Sequence, residues 1–264
     1  MDLGLTGKVA LVTGSSKGLG YATARLLSLE GCRVMINGRD EARVHQAVAA
    51  LSGESGRPVA ALAGDVAEPV FAERITQEAV AQFGGLDILI TNSGGPPSGT
   101  FEDFSSDEEW YHAIELNFMS HVRLIRAALP HLKQSSSPAV LTVTSYSVKQ
   151  PIPSLILSNS VRLATVGLTK SLALEMGQAG IRFNSILPAW IETERNVELM
   201  RYRAQVNGTT AEDEMAAQAS ESALGRMGKP EEFAKAACFL VSPAASFITG
   251  AMLTVDGGMY KGTF

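Results

Sequence analysis

Short apolar runs alternate with longer helical patterns along the chain, and this alternation limits the possible fold more than any other feature. The runs are rich in β-branched residues and apolar on both faces, which is typical of parallel strands covered by helices. Strands are predicted over residues 9–13, 33–37, 59–63, 87–91, 139–144, 182–187 and 252–255. Helices are predicted over residues 18–30, 40–52, 68–83, 107–132, about 155–178 and 230–242. This order predicts an α/β fold with a doubly wound parallel sheet, whose ligands bind beyond the carboxyl ends of the strands.

One segment departs from the alternation. Residues 194–225 are mixed helical and polar and contain no strand pattern, so we expect a lid over the site or a peripheral helical insert there. No internal repeat and no long linker divides the rest of the chain, and 264 residues fit one α/β domain. We therefore predict a single domain over residues 1–264.

Charge and cysteine content argue against several classes of protein. The formal net charge of −5 disfavours nucleic acid and anionic membranes as partners, since both select a basic face. Cys32 and Cys238 are far apart and the four histidines lack ligand spacing, so neither a disulfide framework nor a metal site is predicted. The first residues lack a signal-peptide pattern, and no apolar run approaches the roughly 18 residues of a membrane helix. We expect a cytoplasmic protein.

A glycine-rich turn lies between the first predicted strand and the first predicted helix. Its sequence is TGSSKGLG, with glycines at Gly14, Gly18 and Gly20, and the helix is expected to open at about Tyr21. Glycines there permit a tight turn and a close approach of the backbone to a pyrophosphate, which the helix amino end attracts. A turn without a ligand is the alternative, since glycines are common in turns. The position of this turn favours nucleotide binding.

The end of the second predicted strand bears on which nucleotide binds. Sites that prefer NAD(H) usually place an acid there for the ribose hydroxyls, whereas this chain has Gly38 followed by Arg39. Lys17, in the glycine turn, is expected to point toward the same region. Two cations without an acid favour the 2′-phosphate of NADP(H) over NAD(H). Asp40 supports the alternative, because it could serve the ribose or cap the next helix.

Further sequence segments follow in order along the chain: GDV at 64–66, TNSGG at 91–95, ELN at 115–117, PAWIET at 188–193, LGRMGKPE at 224–231, ITG at 248–250 and VDGG at 255–258. Together with the glycine turn they resemble the short-chain dehydrogenase/reductase family over essentially the whole chain. The resemblance is closest to the 3-oxoacyl-(acyl carrier protein) reductase-like branch, whose members reduce ketones or oxidise alcohols by hydride transfer. It implies a three-layer Rossmann fold with strand order 3-2-1-4-5-6-7.

The catalytic half of the family pattern is altered. The resemblance implies an Asn-Ser-Tyr-Lys set, and Asn117 and Ser145 match its first two members. The tyrosine and lysine belong 13 and 17 residues past the serine, where this chain has Ser158 and Arg162. The sequence GLTK at 167–170 resembles the family's usual sequence after the lysine and gives the same register. Ser158 therefore stands in place of the tyrosine and Arg162 in place of the lysine.

The resemblance also implies which residues bind the cofactor. Family members hold the pyrophosphate at the glycine turn, the adenine after the third strand and the nicotinamide after the sixth. The corresponding residues are Gly14, Ser16, Lys17, Gly18, Leu19, Gly20, Arg39, Asp65, Val66, Asn92, Gly94, Arg162, Pro188, Ile191 and Thr193.

The two replacements change the expected proton chemistry. A phenol has a pKa of about 10, whereas an aliphatic hydroxyl is a far weaker acid. Arg162 can hold ribose hydroxyls and supply positive charge, but it does not pass a proton. Tyr146 lies beside Ser145, with Lys149 three residues later, so a relocated proton donor at Tyr146 or Lys149 is one hypothesis. The alternative is that Tyr146 lines the pocket wall and Lys149 is a solvated loop residue.

Two functions are consistent with these residues. The first is an oxidoreductase that transfers a hydride between NADP(H) and a small or medium carbonyl or alcohol substrate, with an altered proton donor. The alternative is a catalytically impaired NADP(H)-binding pseudoenzyme that acts as a sensor or scaffold. Asn117 and Ser145 favour chemistry, since a sensor has no need of them. The helices over 107–132 and 155–178 and the last strand resemble surfaces through which family members associate, so we expect a homotetramer or homodimer.

Overall fold

The computed structural model describes residues 1–263, apart from the side chain of Tyr202. Within them a seven-stranded parallel sheet has the order β3-β2-β1-β4-β5-β6-β7, as predicted. The strands are β1 (Val9–Val12), β2 (Arg33–Gly38), β3 (Val59–Ala63), β4 (Ile88–Thr91), β5 (Ala139–Val143), β6 (Arg182–Pro188) and β7 (Met252–Val255). Each predicted strand agrees with the observed strand to within one residue at either end.

Helices cover both faces of the sheet, which gives the predicted three layers. They are α1 (Gly18–Leu29), α2 (Glu41–Ser55), α3 (Phe71–Phe83), α4 (Asp107–Ile114), α5 (Ser120–Leu132), α6 (Ile156–Met176), α7 (Glu194–Asn207), α8 (Ala211–Ser220) and α9 (Pro230–Val241). Helices α1, α2 and α9 pack on one face, where Leu27, Leu51 and Phe233 are buried. Helices α3, α5 and α6 pack on the other face, where Ile75 and Leu124 are buried. None of the helices described here is long and apolar enough to cross a membrane.

The stretch predicted to be helical over 107–132 is helical throughout, as expected, but it is not one regular α-helix. A π-helical turn at Glu115–Met119 separates α4 from α5. Turns of this kind are frequent at functional sites. Asn117 lies in the middle of the turn and is buried, and the turn directs its side chain toward the loop that follows β4.

The segment over 194–225 contains α7 and α8 and no strand. Helix α7 begins after Thr193, whose hydroxyl accepts from the N–H of Asn196. Helix α8 begins after Thr210, which forms a capping box with Asp213. These caps satisfy N–H groups that the first turn of a helix leaves unpaired, so the polar segment forms helices despite its weak apolar pattern.

The carboxyl edge of the sheet between β1 and β4 is the expected position of a ligand site. Strand β1 pairs with β2 on one side and with β4 on the other. The connections that leave β1 and β4 therefore run to opposite halves of the sheet and leave a crevice between them.

Candidate functional site

A cleft of about 680 Å³ opens at this edge of the sheet. It runs from the glycine turn, past the ends of β4 and β5, to the first turn of α7. The predicted site residues that line it are Gly14, Ser16, Lys17, Gly18, Leu19, Arg39, Asp65, Val66, Asn92, Gly94, Ser145, Tyr146, Ser158, Arg162, Pro188, Ile191 and Thr193. Gly20 and Asn117 lie behind the wall of the cleft and contact residues that form it.

Two glycines of the turn have a left-handed backbone that other residues rarely adopt. Gly14 has φ +55° and Gly18 has φ +60°, which lets the chain reverse after β1 and enter α1. A Cβ at Gly20 would collide with the carbonyl oxygen of Gly14, so this glycine allows α1 to pack against the turn. Helix α1 begins at Gly18 rather than at about Tyr21. Its first residues line the cleft, where unpaired N–H groups of a helix end attract anions.

Two asparagines hold the turn, and sequence analysis did not identify one of them. Asn92 donates from Nδ2 to the carbonyl oxygen of Gly14 at 3.0 Å. The side chain of Asn37 accepts from the N–H of Gly14 at 3.2 Å and donates to the carbonyl oxygens of Leu62 and Gly64. Asn37 is buried near the end of β2. A polar residue in an otherwise apolar strand is the signal that could have identified it.

At the corner of the cleft beside β2, Gly38 packs closely against Ser16, whereas the side chain of Arg39 is open to solvent. A Cβ at Gly38 would collide with the hydroxyl of Ser16, so a side chain at this position requires Ser16 to move. Arg39 is exposed, and its Nη1 lies 3.8 Å from Oδ2 of Asp65. Asp40 caps α2, which is one of the two roles that the sequence left open.

A carboxylate from α7 reaches the same corner. Oε2 of Glu194 lies 3.2 Å from Nζ of Lys17 and 3.0 Å from Nη1 of Arg43. Hydrogen bonds from Lys17 and then from Arg43 lower the pKa of Glu194. Sequence analysis did not identify Glu194 or Arg43, because the fold alone brings α2, the glycine turn and α7 together.

The two serines come from the end of β5 and the start of α6. Ser145 follows β5, and its hydroxyl oxygen accepts from the N–H of Ser147 at 3.1 Å, which fixes it at the start of a 3₁₀ turn. Ser158 lies in the first turn of α6 and is buried. Both line the cleft, so the fold places two hydroxyls in one polar region.

Arg162 lies one turn further along α6, with 7% of its surface exposed. Its Nη1 donates to the carbonyl oxygens of Thr144 at 3.1 Å and Val143 at 3.4 Å. Among residues 1–263 it forms no salt bridge. Burial, and then the charge of Arg195, lower its pKa to about 10. The guanidinium is therefore still a cation at neutral pH.

Asn117 supports the wall of the cleft from the π turn. Its Nδ2 donates to the hydroxyl of Ser93 at 2.9 Å and to the carbonyl oxygen of Gly94 at 2.8 Å. The backbone carbonyl oxygen of Asn117 accepts from the hydroxyl of Thr165 at 2.6 Å. Asn117 therefore ties the segment after β4 to α6, the helix that carries Ser158 and Arg162.

His121 is a buried neighbour of this cluster that sequence analysis did not identify. It lies on α5, and its Nδ1 is 2.6 Å from the hydroxyl of Thr91. Burial, and then the charge of Arg162, lower the pKa of His121 to about 3, so the imidazole is neutral at physiological pH. A histidine on the inward face of an amphipathic helix is the signal that could have identified it.

Tyr146 and Lys149 are joined by a backbone hydrogen bond, but only Tyr146 lines the cleft. Tyr146 is buried and lines the cleft. Lys149 does not line it, and its Nζ lies 5.2 Å from the ring centroid of Tyr260. Burial raises the pKa of Tyr146, which makes this phenol a weaker acid than a free tyrosine.

Comparisons with known proteins agree over nearly the whole chain. A family model described as enoyl-(acyl carrier protein) reductase matches residues 14–260. The 3β-hydroxysteroid dehydrogenase 1 of Eggerthella lenta is 38% identical over 263 residues, which cover 97% of this chain and 94% of that protein. Dehydrogenase/reductase SDR family member 4 of Bos taurus is 35% identical over 255 residues, which cover 96% of this chain and 88% of that protein.

Solved structures of oxidoreductases are also similar to nearly the whole chain. The L-sorbose reductase of Gluconobacter frateurii, complexed with NADPH and L-sorbose, is 33% identical with a TM-score of 0.95, covering 99% of this chain and 100% of that one. An NADPH-bound short-chain oxidoreductase from Pseudomonas aeruginosa PAO1, which contains an atypical catalytic center, is 31% identical with a TM-score of 0.89. That similarity covers 98% of this chain and 99% of the other.

Proposed function

Because the chain belongs to the short-chain dehydrogenase/reductase family, we propose that it is an NADP(H)-dependent oxidoreductase. It transfers a hydride between the cofactor and a small or medium carbonyl or alcohol, with a proton donor other than the tyrosine usual in the family. The observation that carries this proposal is one cleft, lined by the glycine turn at one end and by Ser145, Ser158 and Arg162 at the other. A nucleotide and a carbonyl group would therefore meet in one space.

The glycine turn fits a dinucleotide. The left-handed Gly14 and Gly18 and the first N–H groups of α1 form a cradle suited to a pyrophosphate. The exposed Arg39, with Gly38 in place of an acid, favours a 2′-phosphate at the corner beside β2. The other proposed contacts are Ser16, Lys17, Leu19, Asp65, Val66, Asn92, Gly94, Arg162, Pro188, Ile191 and Thr193, all of which line the cleft. Bound NADPH supplies the hydride.

We assign Ser145 to the substrate carbonyl. Its oxygen accepts from the backbone N–H of Ser147, which leaves the hydroxyl hydrogen available for the carbonyl oxygen of the substrate. Arg162 adds a fixed positive charge that stabilises the oxyanion as it forms. Ser158 stands where the family has its tyrosine, and its aliphatic hydroxyl is too weak an acid to release the proton unaided.

The proton comes either from Tyr146 or from a water held by Ser145, Ser158 and Arg162. Tyr146 lines the cleft, so its phenol is available to the substrate region that we propose. Burial raises the pKa of Tyr146 and so weakens it as a donor, which favours the water.

The test measures NADPH oxidation with a panel of ketones. Ser145→Ala should abolish turnover. Tyr146→Phe should slow the chemical step by about 10²–10⁴-fold if the phenol donates the proton, and should leave it unchanged if water does. The double variant Ser158→Tyr with Arg162→Lys rebuilds the family pattern and should raise turnover or shift its pH profile. Calorimetry should give the same NADPH affinity for Ser145→Ala and Tyr146→Phe as for the unaltered protein, which separates chemistry from binding.

Calorimetry also tests the choice of cofactor. NADPH should bind more tightly than NADH, and Arg39→Ala should lower NADPH affinity by about ten- to hundredfold, because a hydrogen bond to a charged group is lost. NADH affinity should stay the same in that variant. Equal affinities for the two cofactors in the unaltered protein would contradict the proposal.

A second candidate function is an NADP(H)-binding pseudoenzyme that acts as a sensor or scaffold. The presence of Ser158 and Arg162 in place of tyrosine and lysine favours it, since a site without a positioned acid reacts slowly. NADPH binding in every variant, without turnover of any carbonyl even in the double variant, would support this function.

We also propose that the chain forms a homotetramer or a homodimer. The helices through which we expect copies of the chain to associate expose apolar side chains. These are Tyr111 on α4 and Leu163 and Leu174 on α6. Strand β7, at the edge of the sheet, exposes Met252 and Leu253. Contact between copies would remove these surfaces from water.

A further inference from the structure

Two guanidinium groups face the substrate end of the cleft without a carboxylate partner. One is Arg162, whose Nη1 is held by two backbone carbonyls. The other is Arg195 in the first turn of α7, whose Nη1 and Nη2 lie 3.3 Å from the carbonyl oxygens of Gly95 and Pro96 respectively. Both line the cleft, and within residues 1–263 neither forms a salt bridge.

The two cations lie at neighbouring positions on the cleft wall. Arg162 is held by carbonyl oxygens at the end of β5, and Arg195 by carbonyl oxygens of the segment that follows β4, the strand paired with β5. Arg162 is buried, whereas Arg195 is exposed, and the charge of Arg195 lowers the pKa of Arg162. Glu198, one turn along α7, raises the pKa of Arg195 but forms no salt bridge with it in the described part of the chain. Cations that repel each other without a paired anion raise the free energy of the site. An anion bound between them would reverse that effect.

The other cations that line the cleft already have acidic neighbours. Lys17 pairs with Glu194, and Arg39 lies beside Asp65. Glu198 also lines the cleft and acts on Arg195, whereas Arg162, at the end of the cleft that holds Ser145, has no carboxylate partner among the described residues.

We propose that the substrate carries a carboxylate and that this group binds between Arg162 and Arg195. The inference rests on the proposed function and adds the substrate class. Arg162 donates to the carbonyl oxygen of Thr144, the residue before Ser145, so an anion on Arg162 lies close to a carbonyl on Ser145. The carboxylate and the reacting carbonyl must therefore be close neighbours, as they are in a 2-oxo acid.

The reaction on such a substrate is balanced by the cofactor and one proton. The hydride brings two electrons to the carbonyl carbon, and a proton from solvent completes the new hydroxyl group. The carboxylate is unchanged, and the product is a 2-hydroxy acid. The cofactor brings its own anions, a pyrophosphate that we expect at the glycine turn and a 2′-phosphate that we expect at the corner beside β2, so the experiment measures cofactor and substrate separately.

The experiment compares pyruvate, 2-oxobutyrate and 2-oxohexanoate with neutral ketones of the same chain length. Arg195→Gln removes the charge of Arg195 and retains a donor amide. Arg201→Gln is the matched control, since Arg201 is exposed on the same helix and does not line the cleft. Turnover is followed by NADPH oxidation, and binding is followed by calorimetric titration of 2-oxobutyrate into the complex with NADP⁺.

The 2-oxo acids should give a higher kcat/KM than the ketones in the unaltered protein. Arg195→Gln should lower kcat/KM for the 2-oxo acids by about ten- to hundredfold, as expected for loss of a charged hydrogen bond, and should leave the ketones unchanged. Arg201→Gln should alter neither class. Titration of 2-oxobutyrate should show the same loss of affinity in Arg195→Gln, and this readout does not require turnover.

Two results would overturn the carboxylate site. The first is that 2-oxo acids react and bind no better than ketones. The second is that Arg195→Gln weakens NADPH binding while the ratio of 2-oxo acid to ketone turnover stays the same, which would assign Arg195 to the cofactor pyrophosphate. If no carbonyl compound reacts but 2-oxobutyrate still binds through Arg195, the oxidoreductase function fails and the carboxylate site stands.

Discussion

At the scale of single residues, Glu194 shows how one side chain can limit cofactor selection. Its carboxylate lies between Lys17 and Arg43, two of the cations nearest the corner beside β2. A 2′-phosphate that uses these cations has to compete with a carboxylate that is already there. We therefore expect the corner to favour the proposed 2′-phosphate less strongly than its number of cations implies.

We expect Glu194→Gln to raise NADPH affinity by up to about fivefold, because an exposed ion pair of this kind contributes at most about 1 kcal/mol. NADH affinity should not change, since that cofactor lacks the 2′-phosphate. Calorimetry measures both. The control is Glu192→Gln, which removes a nearby exposed charge that forms no salt bridge in the described residues. An equal change for the two cofactors would show that Glu194 acts on the cleft as a whole.

His121 should make the fold sensitive to acid. The pKa of His121 is about 3 in the folded chain and 6.5 for the free group. Between these two pH values the imidazole is protonated in the unfolded chain but not in the folded chain. Its contribution to stability is complete above pH 6.5 and declines as the pH falls toward 3. The free energy of unfolding should fall by about 1.4 kcal/mol per pH unit in this window, as measured by urea denaturation.

His121→Gln should lack this part of the pH dependence. His45→Gln should retain it, because His45 is exposed on α2. The same pH profile for His121→Gln and for the unaltered protein would rule out His121 as its source.

Whether a residue could be predicted depends on how local its role is. The glycine turn follows from its place between the first strand and the first helix, and Ser145 and Arg162 follow from the family resemblance, because each is placed by one strand or helix. Glu194 and Arg195 contact residues about a hundred or more positions earlier, and nothing in the local pattern of 194–225 indicates those partners.

At the scale of helices and strands, burial explains which elements were predictable. Strands β1, β2, β4, β5 and β6 are almost entirely buried, which requires continuous apolar runs, and such runs have clear ends. The π turn at Glu115–Met119 was not predicted because it shifts the helical pattern by a single residue. Helix α7 is polar throughout most of its length, so its apolar periodicity is too weak to give its ends.

Helix α7 is tied to both sides of the cleft, by Glu194 to Lys17 and by Arg195 to Gly95 and Pro96. We propose that α7 and α8 act as a lid whose order increases when the cleft is filled. Amide hydrogen exchange should be faster in α7 and α8 than in α9 without cofactor, and NADPH should slow it in α7 and α8 but not in α9. Equal exchange in α7 with and without NADPH would exclude a lid.

At the scale of the whole molecule, the exposed apolar positions predict association. Light scattering at micromolar concentration should give the mass of a tetramer or a dimer, and a monomeric mass would contradict the proposal. Leu174→Glu on α6 should lower the mass, because a charge would then be buried at the interface. Val70→Glu is the control, since Val70 is equally apolar and exposed but lies next to α3.

The contact between Gly38 and Ser16 has a consequence for how the preference of this cleft could drift between lineages. An acid at position 38 is the change that suits an unphosphorylated ribose, yet its Cβ collides with the Ser16 hydroxyl. An acid at position 38 therefore requires the side chain at position 16 to move or to be replaced, so the effect of such a substitution on cofactor preference should depend on the residue at position 16.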